Sequence, residues 1–211
     1  MEAIGISQKA GLYTAISTVA TREKISSGEI GKLAGLAEEN GVHEFRILEP
    51  VPTGSFHDCA DEILTDEESR QLSELHKNWN RRNGDTAISS FSYLESGEMF
   101  GCGAGFHHLF IDALGNVCPC DLTPLSFGNA VSEPLEDIWR QMGAFFGLPR
   151  SECLMKEVCG KSNCLANAAE FPLSPQESQR LCSTLGKQEL PKVYRNLFKG
   201  RKPSYQPLNR P

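Results

Sequence analysis

Long hydrophobic runs are missing from this sequence of 211 residues. No stretch of about 18 consecutive apolar residues occurs, which excludes a transmembrane helix. The first residues, MEAIGISQKAGLYTAISTVATREK, also lack the basic start, apolar core and small-residue cleavage site of a signal peptide. We therefore predict a cytoplasmic protein with no membrane partner.

A net positive charge is also missing, since the chain carries −6 at pH 7. The segment from Lys187 to the end holds seven Lys or Arg and one Glu, a local charge of +6. The rest of the chain is therefore strongly acidic, which argues against nucleic acid as the main partner. The basic, proline-containing end predicts a disordered tail, with a docking tail as the alternative.

Cysteine is scarce in the first 100 residues, where Cys59 stands alone. Cys59 is therefore predicted to be an inert thiol. The others follow later: Cys102, Cys118, Cys120, Cys153, Cys159, Cys164 and Cys182. A reducing cytosol disfavours structural disulfides, so metal binding or catalysis is favoured over bridges, and ordinary core thiols are the third alternative. Thiolates bind soft ions, and a set of four satisfies either tetrahedral zinc or one four-iron, four-sulfur cluster.

The first half of the chain alternates helix and strand patterns. Helices are expected at MEAIGISQKA, SSGEIGKLAGLAEENG and LTDEESRQLSELHKNWNRR, and strands at LYTAISTVA, VHEFRILEPVP and TAISSFSYL. Ser27 and Thr65 are expected N-caps, and Glu68 completes a capping box with Thr65. LYTAISTVA has the pattern of a strand covered on both faces. The alternation predicts parallel strands with right-handed crossovers, but three strands form only part of a barrel of about eight.

The pattern changes near Glu95. HHLFID and NVCPC flank Ala-Leu-Gly-Asn, which predicts a β-hairpin. Helices are expected at SEPLEDIWRQMGAFF, starting at Ser132 and Pro134, and at SPQESQRLCSTLG. We therefore divide the chain into residues 1–98, 99–186 and 187–211.

The spacing of the later cysteines resembles a known domain. Cys102 is followed by twelve residues, Gly115, four residues and Cys120, and then by FGNAVSEPLEDIW, a later cysteine group and a last cysteine. This arrangement, over residues 101 to about 183, is similar to the SPASM domain, the auxiliary iron–sulfur domain at the C-terminus of many radical S-adenosylmethionine enzymes. GLYTAISTVATREKI and FRILEPVPTGSF resemble strands of the partial TIM barrel of those enzymes. The expected fold is therefore α/β, with an incomplete TIM-barrel-like βα segment followed by a small Cys-rich SPASM-like domain of a β-hairpin and helices.

The resemblance implies ligands for one or two auxiliary four-iron, four-sulfur clusters. The first cluster would be held by Cys102, Cys120 and Cys164. The second would be held by Cys153, Cys159 and Cys182. Cys118 is additional to the family pattern, and it is a candidate fourth ligand of the first cluster.

Two departures from the family pattern concern the second cluster. The later group normally begins Cys-x-x-Cys, but Arg150 stands where the first of these cysteines belongs. The last gap of that group, between Cys159 and Cys164, has four residues where the family has three. The second cluster therefore has an open iron, has a ligand other than cysteine, or is absent.

The Cys-x-x-x-Cys-x-x-Cys motif that holds the catalytic cluster of radical enzymes is absent from this chain. We expect a fragment that lacks the first part of the barrel, or a partner whose catalytic half is another chain. The resemblance implies a peptide or protein substrate, with S-adenosylmethionine bound only in a complete enzyme. The alternatives are a non-enzymatic iron–sulfur electron-transfer or partner protein, and a structural zinc domain.

Five other residues are weaker candidates. His107 and His108, at the start of the expected hairpin, either pack or contact a cluster or substrate. Glu49 is expected to be an exposed charge at a strand end, where a barrel would have its catalytic mouth. Asp121 is expected to be a surface carboxylate, with substrate contact as the alternative. Trp139 is expected to be a core residue and not an electron relay.

Overall fold

A computed structural model describes residues 2–56, 60–159, 171–187 and 189–199. Cys59, Cys164 and the end of the predicted tail, 200–211, lie outside these residues. The chain divides into two compact units, with the boundary between Leu94 and Glu95. The finer segment limits at residues 98 and 186 stay a prediction.

The first unit is a mixed α/β arrangement, as expected. Its elements are α1 (Glu2–Lys9), β1 (Ala15–Val19), α2 (Arg22–Ser26), α3 (Glu29–Glu39), β2 (Glu44–Leu48), α4 (Asp66–Asn80), β3 (Ala87–Ser90) and α5 (Phe91–Leu94). The three strands are parallel, in the order β1-β2-β3. Among the described helices, none is long and apolar enough to cross a membrane.

The small sheet has one covered face and one open face. Phe45 and Ile47 of β2 are fully buried and pack with residues of α3 and α4, such as Ala34 and Leu72. Glu44 and Arg46 alternate with them and form an ion pair of 2.8 Å, and the Arg46 side chain is 46% exposed. Because successive side chains of a strand point to opposite faces, this polar pair marks the open face.

Strand β1 departs from the expectation of cover on both faces. None of its five residues is buried, since β1 lies at the edge of the sheet and only one of its faces meets the core. The expected strand TAISSFSYL is also shorter than predicted, because the chain turns into α5 at Phe91.

Helix boundaries follow the local capping chemistry. Thr65 caps α4 and forms the predicted capping box with Glu68. Ser27 was expected to cap a helix, but it ends α2 instead. The next residue, Gly28, takes a left-handed conformation with φ of 70° and precedes α3, so the helical segment is broken in two.

The second unit contains the predicted hairpin and short helices. Its elements are β4 (Phe110–Ile111), β5 (Val117–Cys118), α6 (Leu135–Gly143), α7 (Leu154–Cys159), α8 (Pro175–Cys182) and α9 (Lys192–Leu197). Strands β4 and β5 are antiparallel. The hairpin strand begins at Phe110, so His107 and His108 precede it and do not start it as expected.

The expected disorder of the tail does not extend to α9. The Lys192 N–H donates to the carbonyl oxygen of Gly97 at 2.8 Å. The ring of Tyr194 meets Phe106 edge to face, with 5.7 Å between centroids. These contacts with the start of the second unit order residues that composition alone describes as a solvated basic segment.

Candidate metal centre

The loop that carries Cys102 is held by close backbone packing. Cys102 and Arg150 exchange two backbone hydrogen bonds, of 2.8 and 3.0 Å. The flanking Gly101 has φ of 66°, and a Cβ there would overlap the carbonyl oxygen of Arg150. Gly105 has φ of 68°, and a Cβ there would overlap the ring of Phe146. Glycine on both sides therefore lets this loop lie directly against its neighbours.

Cys102 and Cys153 form the centre of the cysteine group. Their thiols share a hydrogen bond, which lowers the pKa of Cys102 and raises that of Cys153. The backbone N–H groups of Ala104 and Leu154 also donate to the Cys102 sulfur and lower its pKa, although burial opposes them. These hydrogen bonds therefore favour the thiolate form of Cys102 over that of Cys153.

Cys120 approaches this pair from the hairpin side. Its sulfur accepts a hydrogen bond from the Leu122 N–H at 3.4 Å, and its thiol lies 3.3 Å from Oδ1 of Asp121. Burial raises the pKa of Cys120 to about 12, and the charge of Cys153 acts in the same direction. Cys153 therefore affects both Cys102 and Cys120, two thiols that the resemblance assigned to the other cluster.

The remaining cysteines occupy different surroundings. Burial raises the pKa of Cys159, and the charge of Cys153 raises it further. Burial raises the pKa of Cys118 to about 11, with Asp112 of the hairpin as the second cause. Burial raises the pKa of Cys182 to about 12, and the charges that act on it are those of Arg150 and Glu157.

The residues of the Gly115 and FGN motifs connect the hairpin to the segment before α6. Gly115 has φ of 88°, and a Cβ there would come within 2.8 Å of Asn129 Oδ1. Asn129 Nδ2 donates to the carbonyl oxygen of Leu114 at 2.9 Å and to Oδ1 of Asn116 at 3.2 Å. Asn129 Oδ1 accepts from the Val131 N–H at 2.9 Å. This connection explains why glycine and asparagine accompany the hairpin cysteines.

The two histidines lie on an open groove of about 420 Å³, and its lining is His107, His108, Leu109, Leu135, Glu136 and Trp139. The His107 ring lies against Gly103, next to Cys102, because a Cβ on Gly103 would overlap it. Burial lowers the pKa of His108, and the neighbouring His107 lowers it further. Trp139 was expected in the core but is half-buried and lines this groove.

The two carboxylates from the sequence are also located. Asp121 is exposed and contacts the Cys120 thiol, so it is a neighbour of the cysteine group as well as a surface group. Glu49 is half-buried and accepts a hydrogen bond from the Ser69 hydroxyl at 2.9 Å. Glu49 therefore contacts helix α4 and is not the freely exposed charge that was expected.

Sequence reasoning missed the backbone donors and one ion pair. The N–H groups of Met155 and Lys156 donate to the Cys153 sulfur, because α7 begins directly after that cysteine. Arg150 pairs with Glu157 beside Cys182. The sequence contained a signal for the ion pair, because Arg150 stands where the family has a cysteine and the acidic Glu157 follows seven positions later.

The donor set fits a soft metal or an iron–sulfur cluster. Buried sulfurs with backbone N–H donors are typical surroundings of such centres, because these donors stabilise thiolate charge. Within the described ranges, no three His, Cys, Asp or Glu side chains already stand in an arrangement that could hold a single metal ion. Binding therefore requires the thiols to lose protons and to close around the group.

Comparison with protein families matches residues 102–164 to SPASM, described as an iron–sulfur cluster-binding domain. Comparison with curated proteins gives no match. Solved structures with a similar fold include Streptococcus suis SuiB bound to S-adenosylmethionine, which is 18% identical with a TM-score of 0.51 over 97% of this chain. SuiB bound to the precursor peptide SuiA is 17% identical with a TM-score of 0.53 over 99% of this chain.

The chain spans about half the length of SuiB, 46% in both comparisons. The likeness therefore establishes a fold for nearly the whole of this chain, and the family match covers the segment from Cys102 onward. Residues 102–164 therefore resemble a SPASM iron–sulfur cluster-binding domain, and the expected resemblance of the chain to the C-terminal part of a radical S-adenosylmethionine enzyme with such a domain is confirmed.

Proposed function

We propose that this chain is the auxiliary-cluster portion of a radical S-adenosylmethionine enzyme and binds a four-iron, four-sulfur cluster. The observation that carries the proposal is the match of residues 102–164 to the SPASM iron–sulfur cluster-binding domain. It is supported by the hydrogen bond between Cys102 and Cys153 and by the effect of the Cys153 charge on Cys120. The family resemblance adds Cys164 as the fourth ligand. Cys153 is therefore proposed as a ligand of this cluster, whereas the resemblance alone assigned it to the second cluster.

When bound, the cluster supplies electron transfer or an anchoring point for substrate. The protein's own groups set the conditions for that chemistry. Backbone N–H donors from Ala104 and Leu154 favour the thiolate form of Cys102, and those from Met155 and Lys156 favour that of Cys153. Fixed dipoles of this kind stabilise negative charge on the sulfurs in a buried site.

We also propose that the first unit is part of a TIM-like barrel. Its parallel sheet carries helices on one face, while the other face has the polar pair Glu44 and Arg46. Helices outside and functional polar groups inside are typical of barrels that enclose a reaction site. S-adenosylmethionine would bind only when the segment with the missing cysteine motif is also present, on this chain's longer form or on a second chain.

The proposed substrate is a peptide or protein. Support comes from the shared fold with SuiB, which has been crystallised with the precursor peptide SuiA. The open groove beside His107 and Trp139 adds an accessible surface close to the cysteine loop. Nucleic acid is not proposed as a partner because the body of the chain is acidic.

Iron, acid-labile sulfide and zinc should be measured on one sample after anaerobic reconstitution. We expect about four irons with matching sulfide per cluster. Cys102→Ser should abolish this iron, whereas Cys118→Ser should retain it, because Cys118 has Asp112 and not another thiol as its charged neighbour. Zinc without sulfide would contradict the proposal and favour a structural zinc domain.

An electron-transfer or partner protein remains the second candidate for an iron-loaded chain. One experiment distinguishes the radical enzyme from the electron-transfer or partner protein. A chain that carries the Cys-x-x-x-Cys-x-x-Cys segment is added, and cleavage of S-adenosylmethionine and modification of peptide are measured. Activity that depends on both chains supports the enzyme. Peptide modification by the added chain alone, unchanged by this one, would favour the electron-transfer or partner role.

A further inference from the structure

The space around Arg150 is where the family pattern places a second cluster. Its ligands would be Cys153, Cys159, Cys182 and a cysteine at the position of Arg150. An arginine cannot replace that cysteine as a ligand, because guanidinium has no acceptor and stays charged in proteins. What surrounds Arg150 therefore decides whether a second cluster has room and ligands.

Arg150 is held in a closed set of polar contacts. Its Nη2 forms an ion pair with the Glu157 carboxylate, and the two side chains are only 11% and 19% exposed. Arg150 Nη2 also donates to the carbonyl oxygen of Gly186 at 3.4 Å. The Gly186 N–H in turn donates to Glu157 Oε1 at 2.7 Å. The cation, the carboxylate and the backbone after α8 therefore contact one another through Nη2, whereas Arg150 Nε is buried without a hydrogen-bond partner among the described residues.

The sulfurs expected around this position are divided between two places. Cys182 is buried, with 7% of its surface exposed, and lies within the influence of Arg150 and Glu157. Cys153 shares a hydrogen bond with Cys102 instead. A second cluster would have to displace the ion pair and also take Cys153 from Cys102.

We propose that the Arg150–Glu157 ion pair replaces the second auxiliary cluster, so that this chain holds a single cluster and Cys182 is a buried core thiol. This inference rests on the proposed function, since it concerns how many clusters the SPASM domain binds. The sequence left three alternatives for the second cluster: an open iron, a ligand other than cysteine, or no cluster. The inference selects the last of these.

The test uses the full chain, reconstituted anaerobically with ferrous iron and sulfide. We expect about four irons and four sulfides per chain, and one signal in the electron paramagnetic resonance spectrum of the reduced protein. Cys182→Ala and Cys182→Ser should leave both results unchanged. Cys153→Ser should lose the iron, since Cys153 belongs to the remaining site.

Other outcomes separate the inference from the proposed function. About eight irons per chain, falling to about four in either Cys182 variant, would overturn the single-cluster inference and leave the proposed function intact. No iron or sulfide in any sample would overturn both. Circular dichroism of each variant excludes loss of folding, and the pair of Cys182 substitutions guards against an effect of one introduced side chain.

Discussion

Cys102 and Arg150 are joined through their main chains, and each donates its N–H to the other's carbonyl oxygen, at 2.8 and 3.0 Å. The pairing brings the segment before α7 alongside the glycine-flanked loop. It therefore places Cys153, which follows Arg150 closely, within reach of Cys102. The geometry of the proposed cluster depends on this short backbone contact.

Gly101→Ala should disrupt that contact. The residue has φ of 66°, and an added Cβ would overlap the Arg150 carbonyl oxygen and also meet Pro191. Left-handed strain and overpacking together should destabilise the second unit by about 2 kcal/mol or more and reduce bound iron. Urea unfolding followed by Trp139 fluorescence in a Trp79→Phe background measures the loss.

The matched control for this glycine is Gly35→Ala in α3, where an added Cβ meets nothing within 4 Å. Helical alanine should leave iron content unchanged and raise stability of the first unit by about 0.5 to 1 kcal/mol. Equal effects of both substitutions on iron would contradict a specific role for Gly101.

Asn129→Ala should loosen the hairpin. The change removes two hydrogen bonds from Asn129 Nδ2 and one to its Oδ1, which join the turn to the segment before α6. At about 1 kcal/mol per bond, the expected loss is about 2 to 3 kcal/mol, read by Trp139 fluorescence in the same background. Asn78→Ala is the control, since it removes an exposed hydrogen bond of 3.0 Å that Arg81 donates to Asn78. It should change stability by less than about 0.5 kcal/mol.

Glu157→Gln should destabilise the second unit by removing the charge opposite Arg150. Since the two side chains are 11% and 19% exposed, an unpaired guanidinium there is poorly solvated. We expect a loss of about 1 to 3 kcal/mol, partly recovered in Arg150→Met/Glu157→Gln, because the double variant leaves no lone charge. The measurement is a double-mutant cycle by urea unfolding.

Glu189→Gln is the control for that cycle. Glu189 pairs with Arg195 at 3.3 Å, but their side chains are 86% and 51% exposed. Exposed pairs contribute little, so the change should stay below about 0.5 kcal/mol. If Glu157→Gln were equally silent, the pair beside Cys182 would have no role in holding that region together.

Acid should weaken the first unit through Glu68. Hydrogen bonds from Thr65 and the ion pair with Arg22 lower the pKa of Glu68 from 4.5 to about 2. Because the folded-state pKa is the lower one, the stabilisation is complete above pH 4.5 and is lost as the pH falls from 4.5 toward 2. Trp79 fluorescence in a Trp139→Phe background, followed through urea unfolding at several pH values, should show this loss.

Glu68→Gln should remove most of that pH dependence, because its side chain no longer titrates. Glu74→Gln on the same helix should retain the pH dependence. This change removes an ion pair in which Glu74 lies 3.0 Å from Lys77. A pH profile that is unchanged in Glu68→Gln would contradict this assignment.

Local patterns in the sequence predicted local structure well. The capping box of Thr65 and Glu68 and the antiparallel hairpin each depend on neighbouring residues, and both are observed. The short helix α2 was missed, because its five residues are too few to show a helical periodicity. The open face of the sheet was missed because cover on the second face depends on what packs there, which periodicity of one strand does not report.

The candidate site was predicted in composition but not in grouping. Spacing identified the cysteines, and the resemblance divided them between two clusters. The contact between Cys102 and Cys153 joins the two groups and depends on long-range backbone pairing. The role proposed for Arg150 depends on its contacts with Glu157 and with Gly186, which is 36 residues away in the sequence.

Arg150 contributes its main chain to one site and its side chain to another. The hydrogen bonds with Cys102 require no particular side chain, whereas the charge of the guanidinium acts on Cys182. A substitution at this position can therefore change the surroundings of Cys182 while the backbone pairing that supports Cys102 stays in place. The scaffold of one site and the electrostatics of the other are separately mutable properties of a single residue.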